Sequence, residues 1–159
     1  MDKKYFNAEL VKKADIVVAR YEQSRAALLE ILHLIMETHG YIPLEAEEEV
    51  AAYMKIPAIQ VREVMSFYTL YHSEPKGKCH IQICRTLSCS LLGADDLIQF
   101  VREKLGISPG ETTADKKYSF STVECLGACE IAPMAQIDKD YVGPLTKEKL
   151  ERIMDQAKG

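Results

Sequence analysis

Four cysteines in two close pairs are the residues of this chain best suited to chemistry. Cys84 and Cys89 lie in CRTLSC, and Cys125 and Cys129 lie in CLGAC. Two tight pairs argue against four unrelated buried thiols, although a single cysteine is usually a small buried hydrophobe. The 35 residues between the pairs, 90–124, would form a large loop. The entropy of closing such a loop is a cost that four strong metal–thiolate bonds can offset. Structural zinc knuckles favour two to four residues between ligands, most often two. The gaps of four and three here fit that pattern less well, but they leave zinc open. A [2Fe-2S] cluster also needs four thiolates, with two on each iron. Small residues beside the cysteines (Thr86, Ser88, Ser90, Gly127 and Ala128) permit the close backbone approach such a cluster requires. No C-x-x-C is present for a thioredoxin-type dithiol, and no histidine lies inside either pair for a Rieske-type centre. The fifth cysteine, Cys79, is expected to face the core from a strand.

The rest of the chain has to position those pairs. With 159 residues it can bury a real core. A net charge of −4 and a pI near 5.6 argue against a nucleic-acid surface, which would be basic, so the expected partners are proteins. MDKKYFNAEL has no apolar run before charged residues resume. That predicts no export signal and a reducing compartment, and no stretch of the chain reads as a membrane span.

The first half has helical periodicity. Leu10, Ala14, Val17, Val18 and Tyr21 predict a helix over about 8–21, and Ser24 is expected to cap a second that ends at Gly40. A third is expected to begin near Pro43, where the acidic run Glu45, Glu47, Glu48 and Glu49 suits the positive end of a helix dipole. A fourth is expected to start at Pro57 and carry Val61, Val64, Met65 and Tyr68. The FYTLYH string that follows reads as packing between the helices and the next domain, with a docking surface as the lesser alternative. SEPKGK marks the boundary between a helical bundle, 1–75, and a second domain, 76–159.

Beyond the boundary the period changes to two. Cys79, Ile81 and Ile83 predict a strand ending at Cys84, followed by a helix starting just after Cys89 and ending near Gly106. A second strand, carrying Tyr118, Phe120 and Thr122, would deliver Cys125. A βαβ unit makes those strands parallel, so both cysteine pairs emerge at one end of the sheet. A hairpin around Asp138–Asp140 and a last helix capped by Thr146 complete β-α-β then β-β-α. The fold class is therefore α+β, with a helical bundle followed by a thioredoxin-like α/β domain on a mixed sheet. In that domain the cysteines are expected on loops. Pro133 is open to a cis bond.

CRTLSCSLLGA, GETTADKKYSF and VECLGACEIAPM, with HGYIP and IPAIQVREVMSFYTLYH before them, resemble the thioredoxin-like [2Fe-2S] ferredoxin family over nearly the whole chain. DKKYS departs mildly from the glycine-containing turn expected after GETT. The family supplies an electron-transfer subunit to bacterial NADH:quinone oxidoreductase. The resemblance implies one [2Fe-2S] cluster on Cys84, Cys89, Cys125 and Cys129, with Cys79 outside the pattern. It implies that FMN and NADH sit on a partner subunit, beside further iron-sulfur subunits. It also implies a cytoplasmic place peripheral to the inner membrane within a larger complex. Related modules occur in soluble NAD-linked hydrogenases and formate dehydrogenases, and a zinc-stapled interaction module is a third reading.

The residues themselves show no G-x-G-x-x-G or phosphate-binding loop and no catalytic constellation around His33, His39, His72 or His80. The chain is therefore expected to carry electrons as part of an oxidoreductase without a substrate site of its own. Backbone N–H groups around Arg85–Ser90 and Leu126–Cys129 are the expected donors to sulfur, and Arg85 is either a tuning charge or a surface one.

Overall fold

In the computed structural model, residues 4–156 are described. The expectation drawn from the leading residues Met1, Asp2 and Lys3 lies partly outside them. The chain divides into two compact units, one ending at Pro75 and the other beginning at Lys76.

The first unit holds α1 (Ala8–Val18), α2 (Leu28–His39), α3 (Leu44–Met54) and α4 (Ala58–Phe67). Asn7 caps α1 by accepting the N–H groups of Glu9 and Leu10 at 3.0 Å each. That helix stops at Val18, short of the expected residue 21, and Tyr21 instead donates its hydroxyl to Glu30 at 2.5 Å. Ser24 does not cap α2: it opens a 3₁₀ turn, Ser24–Ala27, that runs directly into the helix. Gly40, at φ +77°, ends α2 in the left-handed conformation that glycine adopts without a Cβ penalty. Leu10, Ala14, Ile31, Leu32, Ile35, Val50 and Val61 form the centre of the core.

The acidic run does more than favour a helix dipole. Glu49 accepts the backbone N–H groups of Lys4, Tyr5 and Phe6 at 3.0, 3.0 and 2.7 Å, which ties the start of the chain to α3. Glu47 is 1% exposed, with the Arg62 guanidinium 2.9 Å away. Within FYTLYH, Tyr71 is buried in the helical unit and donates its hydroxyl to the Leu29 carbonyl at 2.8 Å.

The second unit is built on β1 (Cys79–Cys84), β2 (Tyr118–Val123), β3 (Ala135–Ile137) and β4 (Asp140–Val142) in the order β2-β1-β3-β4. β1 and β2 run parallel with Cys84 opposite Val123, and the other neighbours are antiparallel, so the sheet is mixed. The crossover from β1 to β2 contains two helices, a short α5 (Leu87–Leu91) and α6 (Ala94–Leu105). α7 (Lys147–Gln156) begins after Thr146, whose hydroxyl accepts the Lys149 N–H at 3.2 Å. Leu145 and Leu150 are both buried around that cap, as a hydrophobic staple requires. Ile81, Ile83, Phe120, Leu97, Val101, Leu150 and Met154 fill the core. The turn after GETT is completed by Lys116 at φ +55°, a non-glycine in a conformation that favours glycine. The Ala132–Pro133 bond is cis.

Candidate metal centre

The parallel pairing of β1 and β2 sets the site. Their C-terminal ends lie side by side, so the segments leaving them share one edge of the sheet. Cys84 is the last residue of β1 and is 2% exposed. Cys89 is 1% exposed and lies inside α5, where the sequence had predicted a loop. At five residues, α5 is too short for its periodicity to register in the sequence. Cys125 and Cys129 follow β2 and are both exposed, with Ala128 buried between them and Cys129 opening a 3₁₀ turn, Cys129–Ile131. The site therefore has a buried half and an open half.

Hydrogen bonds to sulfur come from donors only partly foreseen. The Leu126 N–H reaches Cys84, and the Gly127 N–H donates to Cys125 Sγ at 3.4 Å. Gly127 sits at φ +76°, in the left-handed region that glycine adopts freely. Two of the other expected donors are engaged elsewhere: the Arg85 N–H donates to the Val123 carbonyl and the Ser90 N–H to the Thr86 carbonyl. In their place stand the Met134 N–H, which reaches Cys89, and the Thr86 hydroxyl, 3.2 Å from Cys84 Sγ. Met134 arrives from a part of the chain distant in sequence, so no local signal could reveal it. Thr86 occupies the N-cap of α5, yet its side chain makes no capping hydrogen bond. Its hydroxyl serves the sulfur instead of the helix.

The electrostatics follow from these contacts. Burial pushes the Cys84 thiol up, but the hydrogen bonds from Thr86 and Leu126 outweigh it, so the group lies below its ordinary 9.0. Burial raises Cys89, and the charges of Cys84 and Cys129 add to that rise, which puts these three thiols within one another's field. Cys79 is pushed to about 11 by burial, with Asp138 adding to it. As a buried neutral thiol it stands apart from the other four. Arg85 pairs with Glu124 through Nε at 3.0 Å and Nη2 at 2.6 Å, so its charge is neutralised at the surface. The histidines take structural positions: His39 bonds the Tyr5 carbonyl, His80 bonds the Ser121 hydroxyl, and His33 lies edge-on to Tyr71. The His72 carbonyl accepts the Ile42 N–H.

A mononuclear zinc site requires four donors about one point. A binuclear cluster takes two pairs of thiolates on two irons, supported by N–H donors, and the donor set here has that chemistry, with a buried pair Cys84 and Cys89 and an exposed pair Cys125 and Cys129.

A family profile described as thioredoxin-like [2Fe-2S] ferredoxin matches residues 14–158. The chain belongs to this family. The match takes in most of the helical unit as well as the sheet. The chain is 41% identical over 154 residues to the NADH-quinone oxidoreductase E subunit of Rickettsia bellii (strain RML369-C), covering 95% of this chain and 92% of that protein. It is 40% identical over 144 residues to the second of the NADH-quinone oxidoreductase E subunits of Rhizobium meliloti (strain 1021), covering 91% and 86%. An air-oxidized NAD+-reducing [NiFe]-hydrogenase structure shares the fold, with a TM-score of 0.72 at 21% identity. That likeness covers 87% of this chain but 24% of the hydrogenase chain.

Proposed function

We propose that this chain is the one-electron-transfer subunit of an NADH:quinone oxidoreductase, with Cys84, Cys89, Cys125 and Cys129 as the ligands of its [2Fe-2S] cluster. The observation that carries this reading is the delivery of both pairs to one sheet edge by parallel strands, in a chain that belongs to a [2Fe-2S] ferredoxin family. The cluster supplies reversible one-electron chemistry. The protein's own part is to hold the sulfurs, aim N–H and O–H donors at them, and bury one half against the core. Cys84 and Cys89 anchor that buried half, and the Cys125–Cys129 connection leaves the other open to a partner.

As a subunit the chain works in a multi-subunit complex, in which a partner carries the flavin and the NADH site and further iron-sulfur subunits accept electrons. The helical unit, residues 1–75, serves to dock it there. No helix among the described residues is long and apolar enough to cross a membrane. The subunit's place in that complex would be peripheral, on the cytoplasmic side. The NADH-quinone oxidoreductase relatives, matched over most of their length, favour this complex over a hydrogenase, since the likeness to the hydrogenase shows the fold alone.

The test is cysteine replacement with iron and sulfide analysis. Cys84→Ala and Cys125→Ala should each abolish the visible and EPR signals of the cluster, while Cys79→Ala should leave both intact. A colourless wild-type protein purified without oxygen, or loss of the signals in Cys79→Ala, would end the reading.

A further inference from the structure

Arg85 and Glu124 occupy equivalent places. Each is the first residue past its strand, Arg85 directly after Cys84 and Glu124 directly before Cys125. In the parallel register Cys84 lies opposite Val123, so one further rung of the ladder would pair these two residues. That rung exists. The Arg85 N–H donates to the Val123 carbonyl at 3.0 Å, and the Arg85 guanidinium donates through Nε at 3.0 Å and Nη2 at 2.6 Å to one oxygen of Glu124. A backbone bond and a two-pronged ion pair thus tie together the points from which the two cysteine segments depart.

What such a tie does follows from chain length and charge. The 35 residues between the pairs, 90–124, impose no local restraint on how the two segments meet. Anionic sulfurs gathered at one edge also repel one another. A tie at the root opposes both. Its chemistry suits the place, since the two side chains are 57% and 71% exposed and an apolar tie would gain little from burial there. A single charge at either position would act on an anionic cluster beside it, whereas arginine and glutamate together cancel.

We propose that Arg85 and Glu124 are a positioning pair, holding the roots of the Cys84–Cys89 and Cys125–Cys129 segments in register so that the cluster is retained, while cancelling each other's charge beside it. The proposal rests on the ligand assignment of the proposed function and adds to it two residues that are not ligands.

The test uses the full chain purified without oxygen, with its cluster, as wild type, Arg85→Gln, Glu124→Gln, the double Arg85→Gln/Glu124→Gln and the charge-exchanged Arg85→Glu/Glu124→Arg. Two quantities are read: the rate at which excess iron chelator bleaches the visible spectrum, and the midpoint potential from an EPR-monitored titration. Each single variant should bleach about threefold to fivefold faster, the upper range for one exposed ion pair. The double should be no faster than either single, because one interaction is lost in all three, and the exchanged variant should recover towards wild type. At about 1 M salt, where exposed charges are screened, wild type and the single variants should converge. The potential should fall without Arg85, rise without Glu124 and return towards wild type in the double, a reversal of sign that mere loosening of the loops would not give. Single variants that bleach at the wild-type rate, effects that add in the double, or potentials that move the same way in both singles would each overturn the pair and leave the electron-transfer reading standing. If a single variant is isolated without its cluster, return of the cluster in the exchanged variant supports the pair and continued absence overturns it. A wild-type chain without iron and sulfide removes the ligand assignment and the pair together.

Discussion

Replacing Thr86 by valine should lower the midpoint potential of the cluster, and the structure isolates the cause. The Thr86 hydroxyl lies 3.2 Å from Cys84 Sγ and makes no capping hydrogen bond to α5. Valine keeps the β-branched shape in the extended backbone at φ −82° and ψ 171°, so the helix start should survive. What disappears is one O–H donor to an anionic sulfur. A hydrogen bond to a charged group contributes about 1.5–3 kcal/mol, and sulfur as a weak acceptor places this one at about 1.5 kcal/mol. Reduction would raise the negative charge on the ligating sulfurs, so a hydrogen bond to Cys84 Sγ would strengthen by a fraction of its value, ~0.5 kcal/mol. At about 2.3 kcal/mol per 100 mV for one charge, that corresponds to a drop of ~20 mV. The check is an EPR-monitored redox titration of both proteins side by side, with far-UV circular dichroism to confirm the fold. A potential that is unchanged or higher, in a folded variant with full cluster content, would refute the assignment of Thr86 as a donor to the cluster.

Further perturbations test other parts of the structure. Neither oxygen of buried Glu47 accepts a hydrogen bond among the described residues, and its partner Arg62 is 43% exposed and able to hydrate by itself. Glu47→Leu should therefore stabilise the helical unit at neutral pH by about 1–2 kcal/mol, the cost of an unsatisfied buried carboxylate less a weak ion pair. Burial holds the Glu47 carboxyl above its ordinary 4.5, so wild type loses stability as pH rises through that raised value. The advantage of the variant should open over that window and vanish below pH 4.5, and urea melts that are parallel at both pH values would disprove it. Gly77→Ala would put a Cβ 2.5 Å from the Tyr118 carbonyl carbon, which is backbone and cannot yield. It should cost about 1–3 kcal/mol and lower Tm by about 4–8 °C per kcal/mol in calorimetry. Cys79, with its thiol raised to about 11, should resist iodoacetamide at pH 8 in the folded holoprotein and react after denaturation, as mass spectrometry of tryptic peptides would show. Its neutral thiol contributes stability that is present below pH 9.0 and lost as pH rises towards about 11.

The cysteine pairs were legible because residue identity and spacing are properties of the chain itself. The change of period at Cys79 was equally plain, since a strand buried on one face must alternate and the helices before it must not. The turn at Lys116 and the early stop of α1 escaped because tertiary contacts, or a non-glycine in the left-handed region, overrode local preference.

From residues alone came the two cysteine pairs, the order of the strands and of every helix but α5, and the shared edge at which parallel strands must deliver the pairs. Tertiary structure alone decided which sulfurs are buried, that Cys89 rides on a helix, and that Met134 and Thr86 stand in for Arg85 and Ser90 as donors. It also decided that Leu87, Leu91 and Leu92 face outward. The physical reason is one of range. Spacing along the chain records which groups can reach each other, whereas burial and hydrogen-bond partners depend on segments far apart in sequence that meet only when the core closes.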